Sequence, residues 1–269
     1  MKKYILFITI LLSIVALSAC QRDEEVLRVG MDLRYAPFEM LNGENEPDGI
    51  SVDIAYALGE FLGREVEIVN TNFASLIPSL QSGEIDITIA SMSITEARKT
   101  NVDFSEPYFY FKIISLVNKD FALANGLTED STVEDILAIE NIRFIGIASQ
   151  VSATIPESLG KNVIEATDLG TAVLTVSQGT ADILLMSANP VVDGNKAYPT
   201  TTMVNWSSFS SSPIGMAVKK GNTELVEQAN AFIATMNQTG GLYEILAEKY
   251  DDIIIASLGR FGLSFYINE

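Results

Sequence analysis

Apolar residues along this chain recur with two periods. Short runs rich in β-branched residues alternate with stretches in which apolar positions return every three or four residues, which predicts strands alternating with helices. Residues 27–31 read as a first strand ending at Asp32. Over 51–62, Val52, Ala55, Leu58, Phe61 and Leu62 keep helical spacing, and Gly63 stands where a helix terminator belongs. A strand is expected over 66–69. Phe73 then opens a helix with Leu76, Ile77 and Leu80 inward and Gly83 at its end. Ile85, Ile87 and Ile89 form a buried strand, and 113–117 one more. Residues 120–131 are polar and unpatterned, which marks a boundary. Beyond it the pattern predicts a helix over 133–139, a strand over 143–148, a polar turn over 149–152, a helical turn over 152–158 and a strand over 163–166. Residues 188–212 read as loop, 215–219 as strand and 222–236 as an amphipathic helix, and a last helix runs to about Tyr250. The tail from 253 has strand-like runs that the pattern does not place. Strand and helix in alternation imply an α/β fold with mainly parallel sheet covered on both faces.

Two stretches repeat one design. Residues 75–91 and 171–187 each read as a helix, a glycine stop, an aspartate three residues on, an apolar strand and a terminal serine, so Gly83, Asp86 and Ser91 match Gly179, Asp182 and Ser187 at identical spacing. This points to two similar lobes. Asp86 and Asp182 read as structural groups at the strand entry. After the first of these strands, Ser91, Ser93, Thr95 and Arg98 gather at a strand's carboxyl end, where open α/β sheets bind ligands. Hydroxyls and a guanidinium suit a small carboxylate. On spacing alone the same residues also fit a polar loop with a surface arginine. Asp32 with Tyr35, Pro37 and Phe38 either plugs the end of the sheet or orients a ligand.

Charge and composition narrow the chemistry. Lys2 and Lys3 precede an apolar run over residues 4–16, too short to span a bilayer comfortably, and then Leu17-Ser18-Ala19-Cys20. Residues 1–19 read as a signal peptide. The tetrapeptide resembles a bacterial lipobox, which would make Cys20 the lipidated first residue and 20–26 a tether. Cys20 is the sole cysteine, so no disulfide within the chain is available. The net charge of −18 becomes about −20 without the signal, which argues against a nucleic-acid partner. Zero histidines exclude Ser-His-Asp and Cys-His catalysis and the commonest zinc sites. No second hydrophobic segment reaches membrane-spanning length.

Taken together the residues resemble the extracellular solute-binding proteins for polar amino acids that serve ABC importers. The likeness rests on Val29-Gly30-Met31-Asp32 with Tyr35-Ala36-Pro37-Phe38, Phe73 with Leu76-Ile77-Pro78-Ser79-Leu80, Gly83 with Ile85-Asp86, and Ser93-Ile94-Thr95-Glu96 with Arg98. It is completed by Val102-Asp103-Phe104-Ser105, Pro107-Tyr108 and the segment 215–222. The resemblance implies a two-lobed periplasmic-binding-protein-like fold with hinge strands between lobes. Lobe 1 would span 27–110 and 212–269, the latter with the C-terminal tail, and lobe 2 would span 111–211. It also implies that Arg98 clamps a ligand α-carboxylate with help from Ser91 and Ser93, that Tyr35 and Phe73 sandwich the side chain, and that Asp32 reaches its polar end. A turn at a helix start in lobe 2 would cap the carboxylate.

Two departures bear on the ligand. The turn Ser149-Gln150-Val151-Ser152 lacks the family's usual glycine, so only Ser152 is carried over. Ser187 stands where an acidic residue usually meets the α-ammonium, which leaves Asp32 or Asp193 as substitutes from another direction, or a ligand without an ordinary free amine. The expected protein is a monomeric lipoprotein on the extracytoplasmic face of the cell membrane that captures an amino acid or derivative by lobe closure. Its partners would be that ligand, a membrane permease and, through Cys20, the lipid, with no cofactor and no catalysis. A dehydratase-type enzyme and a sensory lipoprotein on the same fold are the alternatives, the first needing a placed acid or base.

Overall fold

The computed structural model describes residues 26–147 and 150–267. The signal peptide, Cys20, most of the tether and Ser149 lie outside the described residues. In chain order, β1 (Val26–Met31), β2 (Arg34–Tyr35), β3 (Glu39–Leu41) and β4 (Pro47–Asp48) lead to α1 (Ile50–Leu62) and β5 (Glu65–Asn70). A 3-10 turn (Phe73–Ser75) opens α2 (Leu76–Ser82), followed by β6 (Ile87–Thr88), α3 (Glu96–Lys99), β7 (Val102–Phe104) and the long β8 (Phe109–Asn118). Then come α4 (Lys119–Asn125), α5 (Val133–Leu137), β9 (Phe144–Ile147), α6 (Val151–Ser158), β10 (Val163–Ala166), α7 (Leu169–Ser177), β11 (Ile183–Ser187) and α8 (Ala188–Ala197). The chain closes with β12 (Thr202–Ile214), β13 (Ala217–Lys219), α9 (Thr223–Met236), α10 (Leu242–Leu258) and α11 (Ser264–Ile267).

Two five-stranded sheets carry the two lobes, in the orders β5-β1-β6-β13-β7 and β10-β9-β11-β8-β12. In each, the first three strands are parallel and the fourth runs against both of its neighbours. The repeat seen in the sequence extends to single bonds. Asp86 accepts from the backbone N–H of Arg28 at 3.0 Å and from its Nε at 3.2 Å, and its own N–H donates to the Arg28 carbonyl. Asp182 accepts from the N–H of Arg143 at 2.8 Å and from its Nε at 3.0 Å, and likewise donates back to the Arg143 carbonyl. Each aspartate thus staples the strand it opens to the edge of the neighbouring parallel strand.

Glycine ends α1 and α2 as the spacing indicated, with Gly63 at φ 67° and Gly83 at φ 79°. Three expectations are corrected. Residues 120–131 are not a structureless boundary, because α4 begins at Lys119, capped by the Asn118 side chain. Residues 188–212 are not loop: they hold α8 and most of β12, whose serine-rich half pairs with residues 109–113 of β8. The last helix does not stop near Tyr250, because α10 runs on to Leu258, and α11 follows at Ser264–Ile267. β8 and β12 pair from Asn118/Thr202 to Phe109/Ile214, with a register break between Asn205 and Ser210. They run the length of one sheet and reach the other at Phe109 and Ile214, next to the Ser93–Ile214 bridge.

Candidate functional site

At the carboxyl end of β1 the chain turns at Asp32, and the Asp32 carboxylate receives the backbone N–H of Phe73 at 3.0 Å. One side chain therefore holds the first turn after β1 against the turn that opens α2. Asp32 Oδ2 is spent on that bond. Oδ1 is buried, makes no hydrogen bond among the described residues and lies 3.4 Å from the Nε of exposed Arg34.

The chain then folds through a small three-stranded sheet, β2-β3-β4, that carries Tyr35 and Glu39. Tyr35 stacks on Phe38 with centroids 5.6 Å apart, and Phe111 of β8 lies 4.9 Å from Phe38 and 6.1 Å from Tyr35. After β6 the chain leaves the ladder at Ser91, whose φ of 50° is left-handed and turns its hydroxyl toward β3. Ser91 and Ser51 both donate to Glu39 Oε2, at 2.9 and 2.7 Å. Glu39 is 2 % exposed. Burial, with a smaller contribution from the Asp32 charge, outweighs those two hydroxyls and pushes its carboxyl up to about 8. Burial next to Glu39 also raises the Tyr35 phenol to about 12.

Asp32, Arg34, Tyr35, Glu39, Phe73, Ala90, Ser91 and Phe111 enclose a cavity of about 350 Å³. The guanidinium of Arg98 lies over the Phe73 ring, 5.2 Å from its centroid, and donates to the Ser93 carbonyl at 2.8 Å. Burial lowers its pKa from the ordinary value. Thr95 caps the short α3 that presents Arg98. The cavity is thus lined by aromatic rings and has two carboxyl groups in its wall, and the Arg98 guanidinium lies over one of those rings. A larger hollow of about 670 Å³ lies elsewhere on lobe 1, beside the Lys220–Asp103 ion pair, and contains none of the sequence-predicted site residues. Chemistry, not size, selects the smaller one.

Of the eight residues expected from the sequence, the structure brings Asp32, Tyr35, Phe73 and Ser91 to the cavity wall and Arg98 onto Phe73. The Ser93 hydroxyl accepts from Ser212 at 2.9 Å, which commits it to β12. Ser152 is fully buried and accepts from the Ile147 N–H at 3.0 Å, so its hydroxyl ties α6 to β9. The two backbones pack closely there, since a methyl group at Gly146 would meet the Ser152 carbonyl oxygen at 2.5 Å. Ser187 ends β11 and precedes α8 at its N-cap position, with no capping bond from its side chain, and does not line the cavity. Asp193 borders a separate interlobe gap of about 650 Å³ between the Arg34–Ala36 turn and α7 and α8. Glu39 and Phe111 were missed. The one signal for Glu39 was an acid directly after Phe38 in an apolar stretch, and nothing local marks Phe111.

The description "bacterial extracellular solute-binding proteins, family 3" matches residues 27–251. The chain is 27 % identical over 231 residues to the L-cystine-binding protein TcyJ of Escherichia coli K12, covering 85 % of this chain and 84 % of that one. It is 27 % identical over 257 residues to the L-arginine-binding protein of Pseudomonas aeruginosa, covering 93 % and 96 %. Among solved structures, a putative binding component of an ABC transporter from Wolinella succinogenes, complexed with lysine, superimposes with a TM-score of 0.63. The identity there is 26 %, over 84 % of this chain and 95 % of that one.

Proposed function

Because the chain belongs to family 3 of the bacterial extracellular solute-binding proteins, we propose that it is the substrate-binding protein of an ABC importer, with an amino acid bearing a positively charged side chain as its ligand. The observation that carries this reading is the pairing of Asp32 and Glu39 in the wall of one cavity whose Phe73 side lies under Arg98. A carboxylate set toward Arg98 and a cation set toward the two acids would satisfy both ends, and the aromatic walls suit the alkyl stem between them. A relative named for arginine and a neighbour bound to lysine support the class. The strongly negative surface favours approach of such a ligand.

Lobe closure would bring the lobe 2 groups to the ligand, and Cys20 would anchor the protein by its lipid. Calorimetry with L-arginine, L-lysine, L-cystine and L-glutamine tests the ligand class. Tight binding confined to the basic pair is expected, and preference for cystine or glutamine overturns it. Fatty-acid labelling that Cys20→Ala abolishes is expected for the anchor; equal incorporation refutes it. Turnover of prephenate or arogenate would establish the dehydratase instead.

A further inference from the structure

The family match ends at residue 251, yet Ile254, Leu258, Leu263, Phe265 and Tyr266 beyond it are buried. Chain ends are ordinarily loose unless something ties them down. Here Leu263 donates its N–H to Asp251 Oδ1 at 2.7 Å, folding the segment back after Gly259. Phe261 and Phe265 stack 5.0 Å apart, and both meet the edge of Trp206 on β12, at 5.1 and 6.0 Å. Tyr266, 4 % exposed, sets its ring 5.1 Å from Phe38 and 5.4 Å from Phe111, directly behind the cavity wall. Its phenol donates to Asn189 Oδ1, at the start of α8 in lobe 2, at 2.9 Å. Arg260 pairs with Asp130 at 2.8 Å, and Lys196 of α8 donates to the Ser257 carbonyl. One short segment attached to lobe 1 therefore grips the hinge strands and lobe 2 at once.

No residue of α6 or α8 lines the cavity. Bringing lobe 2 onto a ligand requires the lobes to move, and the Tyr266–Asn189 bond links the segment beyond residue 251 to lobe 2 across that motion. We propose that residues 252–267 form an interlobe strap, with Tyr266 as its positioning residue, that holds the ligand-free protein open and so lowers its affinity for ligand. A strap of this kind acts through the open-to-closed equilibrium and not through any contact with the ligand.

The test uses the full chain with Cys20→Ser, leaving no other cysteine, and spin labels at Glu60→Cys on α1 and Glu157→Cys on α6. Without ligand, Tyr266→Phe and Asn189→Ala remove the same bond from opposite sides, and each should shift the interlobe distance distribution toward shorter values. A distribution unchanged in either variant overturns the strap. The affinity arm rests on the proposed ligand class. With L-arginine as probe, both variants should bind about three- to tenfold more tightly, the range expected from releasing one hydrogen bond. Unchanged or weaker affinity overturns the claim that the strap opposes capture. Absence of arginine binding by the unsubstituted chain refutes the ligand class and leaves the distance measurement to decide the strap.

Discussion

Glu39 concentrates the site's energetics in one carboxyl group. Its pKa of about 8 in the fold, against 4.5 for an ordinary glutamate, means the folded protein holds a proton there that the unfolded chain releases. The stabilisation this provides is complete below about pH 4.5 and is lost as pH rises through about 8. Thermal unfolding between pH 5 and 8.5 should show a decline in wild type that Glu39→Gln flattens; parallel profiles would contradict it. A bound cation reverses the preference, because it favours the ionised form. Arginine affinity should accordingly rise with pH up to about 8, and Glu39→Gln should weaken it by roughly ten- to a hundredfold, the weight of a charge-assisted hydrogen bond. Arg98→Ala should cost about 3 kcal/mol or more of binding free energy, while Arg98→Lys keeps the charge and loses the fork, giving an intermediate loss in calorimetry. Wild-type affinity in Arg98→Ala would move the carboxylate elsewhere.

At the scale of elements, the Arg28–Asp86 and Arg143–Asp182 staples explain why the two helix-glycine-strand units carry an aspartate at one spacing. Each aspartate satisfies a backbone N–H on the neighbouring strand and a guanidinium together, so it fixes the register of two parallel strands. Asp182 is 3 % exposed at its side chain and Asp86 13 %. Asp182→Ala leaves a partly buried N–H unpaired and the half-exposed guanidinium with only the Thr180 carbonyl, and should cost about 2–3 kcal/mol in urea denaturation. Asp86→Ala should cost less. Equal and negligible losses would reduce both staples to surface ion pairs, which contribute about 0–1 kcal/mol.

Over the whole molecule, β8 and β12 provide the only long strands shared between the neighbourhoods of the two sheets among the described residues, and Phe111 on β8 places the hinge in the cavity wall. A ligand seated against Phe111 therefore touches the element about which the lobes would turn. Small-angle scattering should show a smaller radius of gyration with L-arginine than without it. An unchanged radius on saturation would mean that capture proceeds without closure.

By itself the sequence determined what depends on neighbours along the chain. Helix periods, Gly63 and Gly83 as terminators, the repeated unit, and the gathering of Asp32, Tyr35, Ser91 and Arg98 after strand ends all follow from short-range spacing, which sterics and one-sided burial dictate locally. Tertiary structure decided the rest. Residues 188–212 carry two prolines, a glycine and a run of serines that read as loop, yet β8 supplies backbone partners to residues 202–205 and 210–214 and outweighs weak propensity. The tail has strand-like runs that the pattern leaves unplaced, and only contacts with Trp206, Phe38 and Phe111 show which faces are buried. Glu39 is ordinary in sequence and decisive in space. Its neighbours Ser51 and Ser91 lie 12 and 52 residues away, and burial, the cause of its shifted proton, is a property of the assembled fold alone.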